Sequence, residues 1–320
     1  MNIKRYLIDS FIYFIIPLLI IAIAWEFSIR SIPNDYSYKS KWLKDNAHDI
    51  EVLYLGPSTV MYDIDPTTSK WKGFNAAHVS QSLKYDHFIF DKYINQMTSL
   101  KQIVLGIDYW SPHGQMEQST EWWRVKYYTI HYNSPYHENK FKYKYELYFH
   151  NPRTLKIAAQ GAARILGMGN VSHLNVNNLG YGTNYNVNNK LIDWDNGVNE
   201  AMRHNELIKT YKNDKQAYEE NLNYVSDICK LSEERGIKVI LLAPPIYKSY
   251  TNTLDNEYIN DRNAFCQSIA DKYSNTTFLD LSNSDLFAAD DFYDANHLND
   301  EGTRKMVGLM DEQIEYSVLR

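Results

Sequence analysis

Four short apolar runs, set apart by helix-length amphipathic stretches, limit this chain to a small group of folds. They are Glu51–Gly56 (EVLYLG), Gln102–Ile107 (QIVLGI), Ile237–Ala243 (IKVILLA) and Thr276–Leu281 (TTFLDL), and the shorter Gly73–Ala77 (GFNAA) reads as a further strand. The first run stops at Gly-Pro-Ser and the third at Pro244-Pro245, both strong turn signals. Runs this short and this apolar predict buried strands. Residues 81–97, 215–235 and 254–273 carry helical periodicity, and Gly236 sits where a helix stop belongs. Asn299 can cap a last helix, with Asp300 and Glu301 in its first turn and Met306, Leu309, Met310 and Ile314 on its buried face. Strands alternating with helices predict an α/β fold, a parallel sheet with helices on both faces.

Two regions lie outside that pattern. Residues 113–210 are rich in Tyr, Asn, His and Trp, and only Leu155–Leu166 reads as a helix there; the stretch reads as an insertion. At the N-terminus, Tyr6–Trp25 (YLIDSFIYFIIPLLIIAIAW) has no charge from Phe11 onward. Two readings stand. A membrane anchor needs about 20 apolar residues, with Tyr6 and Trp25 as interfacial residues. A cleaved signal peptide would use Lys4 and Arg5, the apolar middle and Ala22-Ile23-Ala24. Either one exports the chain from residue 30 onward. The expected organisation is an anchor or signal over 1–29, a stalk over 30–50, and a domain over 51–320 interrupted at about 113–210.

Composition removes several function classes. A formal net charge of -6 argues against a general nucleic-acid binder. With 22% charged and 44% hydrophobic residues, the chain is not a disordered one. Cys229 and Cys266 are too few for a cysteine-rich zinc site or a disulfide-built fold. The 27 tyrosines against 12 phenylalanines supply apolar faces with polar tips, which suit wet recognition surfaces as well as cores.

In an open parallel sheet, ligands bind at the carboxyl ends of the strands. Two motifs fall there. Gly56-Pro57-Ser58-Thr59 follows the first strand, where a tight turn would expose the Ser58 hydroxyl and aim backbone amides at an oxyanion. Asp294-Ala295-Asn296-His297 precedes the last helix, and one tight turn there would hold the carboxylate against one imidazole nitrogen and leave the other free. That is the orienter and base of a triad, and a serine hydroxyl needs such a base to become a nucleophile. Taken singly, each motif is more often a helix-capping arrangement. The pair, in this order and on these elements, is far more specific.

At VLYLGPSTVMYDIDP, GFNAAHVSQS, QIVLGIDYWSP and FYDANHLNDEGTRKM the chain resembles the SGNH (GDSL-like) hydrolase superfamily. It resembles most the membrane-anchored, DltD-like branch that includes polysaccharide O-acyltransferase accessory proteins. The resemblance spans residues 51–112 and 215–315. It implies a flavodoxin-like three-layer sandwich behind one N-terminal membrane helix, without metal or cofactor. It also implies Ser58 as nucleophile, His297 as general base and Asp294 as its partner, with the Ser58 N–H in the oxyanion hole. Asn75 and Ala77 match the second block, where the family usually has Gly. The third block usually supplies an Asn donor; here it reads Gly106-Ile107-Asp108, and an ionised Asp108 would repel an oxyanion. Either Asn75 substitutes or the hole rests on backbone amides alone.

Other features are more open. Asp108, Tyr109, Trp110, Trp122 and Trp123 are candidate substrate contacts. Together with Tyr127, Tyr128, Tyr132 and Tyr136, these aromatics either line a glycan groove or pack the insertion onto the sheet. His113, His131, His137, His150 and His173 have no metal-site spacing. Lys140, Lys142 and Lys144 form a solvated basic face that can also meet an anionic polymer or lipid head groups. The expected function is extracytoplasmic acyl transfer on O-acyl groups of a cell-envelope polysaccharide. The alternatives are a carbohydrate esterase, or a glycan-binding envelope protein with a degenerate site. The resemblance implies a polytopic membrane-bound O-acyltransferase partner. No nucleic-acid partner is expected.

Overall fold

The computed structural model describes residues 3–146, 154–185, 195–210 and 214–318. In chain order its main helices are α1 (Ile3–Arg30), α2 (Asp35–Asn46), α3 (Ser58–Asp63), α4 (Leu83–Tyr93) and α5 (Val125–Tyr132), then α6 (Thr154–Ile165), α7 (Asp195–Lys209), α8 (Lys215–Glu234), α9 (Asn256–Ala270) and α10 (Asp300–Val318). The strands are β1 (Val52–Leu55), β2 (Gly73–Asn75), β3 (Gln102–Gly106), β4 (Lys238–Ala243), β5 (Thr276–Asp280), β6 (Phe292–Asp294) and β7 (His297–Leu298). They group into two compact units: Met1–Tyr38 with Trp123–Leu174, and Lys39–Trp122 with Asn175–Arg320.

In the first unit, α1 is 28 residues long and its apolar stretch has no buried residue, so by length and composition it can cross a membrane. Phe11–Ile15 winds as a π turn just before Pro17. The proline ring would otherwise press on the carbonyl one turn back, and the wider turn relieves that. The charged end of α1 is received by the insertion: Glu26 pairs with Arg30 at 2.5 Å, Arg30 donates to the Lys144 carbonyl at 2.9 Å, and the Glu146 N–H donates to Glu26 at 3.2 Å. Tyr36 stacks on Tyr127 and meets Tyr128 edge-on. The stretch expected as a stalk holds a helix, α2; its Trp42 and Phe74, both of the second unit, stack at 3.9 Å.

The second unit is an α/β fold on a five-stranded parallel sheet of order β2-β1-β3-β4-β5. Side chains alternate between its faces. Val52, Tyr54, Val104, Ile240 and Leu242 pack with Met306, Val307, Met310 and Ile314 of α10. Leu53, Leu55, Ile103, Leu105, Val239 and Leu241 are buried on the opposite face, where α8 packs between α4 and α9. Each such side chain contributes about 1.5–3 kcal/mol of burial free energy, which is why the runs tolerate no polar residue at these positions. Caps set where the helices begin: Asp214 accepts the Ala217 N–H, Asp255 the Glu257 N–H, and Asn299 the N–H groups of Glu301 and Gly302.

The chain leaves β1 to one side to form β2 and returns on the other side as β3, so the strand order reverses at β1 and β3. Ligand crevices form at the carboxyl ends of strands flanking such a reversal. Ser58 follows β1 there and Asp108 follows β3.

Candidate active site

Ser58 opens α3 immediately after a turn that only glycine makes comfortably. Gly56 has φ +137°, and a Cβ on it would come within 2.8 Å of the Val60 side chain and 3.1 Å of the Gly106 backbone. Gly106 is equally constrained, since its Cβ would sit 2.2 Å from the same Val60 methyl. The two glycines let the ends of β1 and β3 close on the first turn of α3. Buried Asp86 holds this corner, accepting hydrogen bonds from the Gly56 N–H and from Gln81 at 2.6 Å. Ser58 itself is half-buried.

His297 comes from the other end of the chain. β6 and β7 pair as a tight antiparallel hairpin in which Asp294 and His297 are opposite one another. Asp294 Oδ1 accepts the Asn296 N–H at 3.0 Å, fixing the turn, and both its oxygens lie 3.0–3.1 Å from His297 Nδ1. The other ring nitrogen, Nε2, is 2.9 Å from Ser58 Oγ. With Nδ1–H donated to Asp294, the Nε2 lone pair faces the serine hydroxyl. Ser58, His297 and Asp294 thus form one hydrogen-bonded line.

Two contacts far apart in sequence hold the hairpin and the start of α10 against α3. Asp63, the last residue of α3, accepts the Leu298 N–H at 2.8 Å. Thr303 of α10 donates its hydroxyl to the Tyr62 carbonyl at 3.2 Å. Asp63 is wholly buried, and among the described residues its Oδ2 has no hydrogen-bond partner. Burial drives the Asp63 pKa well above the usual carboxylate range, more than the charge of His297 and the Leu298 N–H can offset. Burial also raises Asp108, opposed by the Thr59 hydroxyl. At His297 burial works against the charged ring, but the charge and hydrogen bond of Asp294, with Asp63 and Asp108 beyond, lift its pKa to about 9. Burial works on Asp294 in the other direction, yet the imidazolium and the turn N–H groups keep it below its ordinary value.

The residues proposed for the oxyanion hole are engaged elsewhere. Asn75 donates both amide protons to backbone carbonyls, of Val60 and Ile64, each at 2.8 Å. Its Oδ1 accepts the Ala77 N–H at 3.1 Å, and buried Lys39 donates to the Ala77 carbonyl. Neither Asn75 nor Ala77 has a donor left for a ligand, because this loop uses them to seal the end of α3. That leaves the Ser58 N–H at the start of α3, where first-turn amides have no intrahelical partner. Asp108 is turned inward: one oxygen accepts the Thr59 hydroxyl at 2.9 Å and the other the Trp110 indole at 3.2 Å. Tyr109 is buried, its hydroxyl 2.6 Å from that of Tyr250, which also meets His204 of α7. Trp122 is half-buried. Trp123 belongs to the first unit, where it meets Tyr127 edge-on and Arg124 lies over its ring. His150 lies outside the described residues.

The sequence reading passed over three tyrosines and Asp63. Tyr62, Tyr185 and Tyr293 stack in series at 4.1 Å, and the first two meet the His297 ring edge-on. Tyr62 and Asp63 carried a readable signal: an acid closing an otherwise apolar helical stretch (VMYD) after Ser58. Tyr185 carried none, being one of many tyrosines.

A family model described as "Protein of unknown function (DUF1574)" matches residues 186–312, which include β4, β5 and the β6–β7 hairpin. No curated protein matches. Among solved structures, the chain is similar to a GDSL-like lipase from Bacteroides thetaiotaomicron (11% identity, TM-score 0.42, covering 88% of this chain and 99% of that one). It is similar to a proposed acylhydrolase from Bacteroides fragilis (12%, TM-score 0.41, covering 87% and 96%). It is also similar to a proposed platelet activating factor from Streptococcus pneumonia (11%, TM-score 0.42, covering 86% and 91%).

Proposed function

We propose that this protein is a serine acyl-transfer enzyme of SGNH type, in the DltD-like branch, acting on O-acyl groups of a cell-envelope polysaccharide. The observation that carries the proposal is the line from Ser58 Oγ to His297 Nε2 at 2.9 Å and from His297 Nδ1 to Asp294 at 3.0 Å. The substrate class comes from the resemblance of the four blocks, and α1 supplies the membrane anchor of that reading.

The chemistry runs in two halves. His297 in its neutral form takes the Ser58 proton as Oγ attacks the acyl carbonyl, and the Ser58 N–H receives the developing oxyanion. The C–O bond of the donor breaks, and His297 returns the proton to the departing oxygen. A sugar hydroxyl then gives its proton to His297, attacks the acyl-Ser58 ester and displaces Oγ, which takes the proton back. Water in place of the sugar makes the same groups an esterase. Asp294 keeps the ring oriented and stabilises its charged form throughout.

The test uses the full chain in detergent with an activated acetyl ester and an envelope polysaccharide as acceptor. Acetylated polysaccharide, abolished in Ser58→Ala, is the expected result. Free acetate alone would select the esterase, and no turnover above Ser58→Ala would leave a glycan-binding protein.

A further inference from the structure

The insertion carries a helix that fits a lipid surface better than water. On α6 the side chains sort into three arcs. Ala158 and Gly161 are buried. Gly161 lies so close to α1 that a Cβ on it would be 2.0 Å from the Ser28 carbonyl oxygen. Lys156, Gln160 and Arg164, spaced four apart, form a polar arc. The third arc is apolar yet uncovered: Leu155 is 53% exposed with exposed Ala159 on the same face, and Leu166, the first residue after the helix, continues it at 70%. Ile165, the last helical residue, is 48% exposed beside the buried arc, and Met168 beyond the helix is 78% exposed. A helix with one apolar and one cationic arc is the pattern of an interfacial membrane helix, and small residues at the crossing are what close packing on a membrane helix requires.

Its place on α1 sets the depth. At 1.5 Å per residue α1 is about 42 Å long against a hydrocarbon thickness of about 30 Å, so its charged end emerges from the apolar layer. Glu26 and Arg30 mark that end. Ser28, which α6 crosses, stands between them, and Trp25 lies one turn inward. The exposed arc of α6 therefore continues the exposed apolar surface of α1 at the level where acyl chains give way to head groups.

We propose that α6 is a second membrane-contacting element, lying in the bilayer interface with Leu155, Ala159 and Leu166 toward the acyl chains and Lys156 and Gln160 toward the head groups. This rests on α1 spanning the membrane. The partner is lipid, preferentially anionic, since Lys140, Lys142, Lys144 and Lys156 all belong to this unit.

The full chain is reconstituted in phosphatidylcholine–phosphatidylglycerol vesicles with one environment-sensitive thiol label at a time. The labels sit at Ile20→Cys, Leu155→Cys, Gln160→Cys and Leu166→Cys. Native Cys229 and Cys266 are buried and out of the reagent's reach. The expected result is quenching of the 155 and 166 labels by shallow lipid-borne quenchers, at least twofold stronger than at 160, and of the 20 label by deep ones. Labels at 155 and 166 as open to aqueous iodide as that at 160, with 20 still lipid-quenched, would overturn the inference and leave the anchor standing. An iodide-accessible label at 20 would overturn the anchor and the inference with it. Shielding of 155 and 166 from both iodide and lipid would mean that a second copy of the chain covers the face, and would overturn it too.

Discussion

Four ionisable side chains share the space behind Ser58, and under the proposed function their coupling sets when the serine can react. His297 is lifted to about 9 because Asp294 binds its Nδ1–H while Asp63 and Asp108 add negative charge nearby, together outweighing the cost of burial. A base must be neutral to accept a proton, so kcat/KM is expected to rise with pH through neutrality and level off near pH 9. Asp63→Asn keeps an oxygen acceptor for the Leu298 N–H but removes a carboxylate from the cluster. The acid limb of the kcat/KM profile should then move to lower pH, read by ester hydrolysis across pH 5–10; an unmoved limb would mean Asp63 carries no charge that His297 senses. Asp294→Asn should cost roughly 10⁴ in kcat, as loss of the orienting carboxylate does in comparable triads. Asp294 and His297 were legible in sequence because their juxtaposition is local, one tight turn. Where Asn75 donates was not legible, because nothing in GFNAA says that the Val60 and Ile64 carbonyls at the end of α3 take its two protons.

At the scale of elements, the strands were readable because burial on both faces leaves little choice of residue type, and Asn299 announced α10 through its capping chemistry. The helix α2 was not readable. Its buried residues Tyr36, Lys39 and Leu43 are spaced at helical intervals, but a lysine among them masks the apolar stripe. β5 follows the same logic as the inner strands but lies at the sheet edge, so its middle is only partly covered. The corner that presents Ser58 depends on two glycines. Gly106→Ala should destabilise the sheet unit by about 1–3 kcal/mol through overpacking against Val60, measured by urea denaturation. Val60→Ala in the same chain should recover part of it, since the 2.2 Å clash is with a Val60 methyl. Equal stability of Gly106→Ala and wild type would show that this corner is not close-packed.

For the whole molecule, the division into units differs from any reading by composition. Residues 113–210 look uniform in sequence, yet the described residues of 123–174 gather with the N-terminal helix and those of 175–210 with the sheet. Composition reports which residues are polar, not which partner they find. The site also leaves a mark on global stability. The folded pKa of His297, about 9, exceeds its unfolded value near 6.5. Its contribution is therefore complete below pH 6.5 and lost as pH rises through 9. Asp294 is lowered, so its contribution holds above about pH 4 and is lost in acid. Stability of the sheet unit should fall between pH 6.5 and 9.5, and the fall should be smaller in His297→Asn. Denaturation midpoints at the two pH values check this, and equal slopes in both proteins would contradict it.

The most direct measurement is covalent capture of the hydroxyl. The full chain is treated with a fluorophosphonate at pH 8.5 and the adduct located by peptide mass spectrometry. One adduct is expected, on Ser58, formed at least a hundredfold more slowly in His297→Ala and absent in Ser58→Ala. Labelling spread over several serines, or a Ser58 that reacts equally fast without His297, would contradict it.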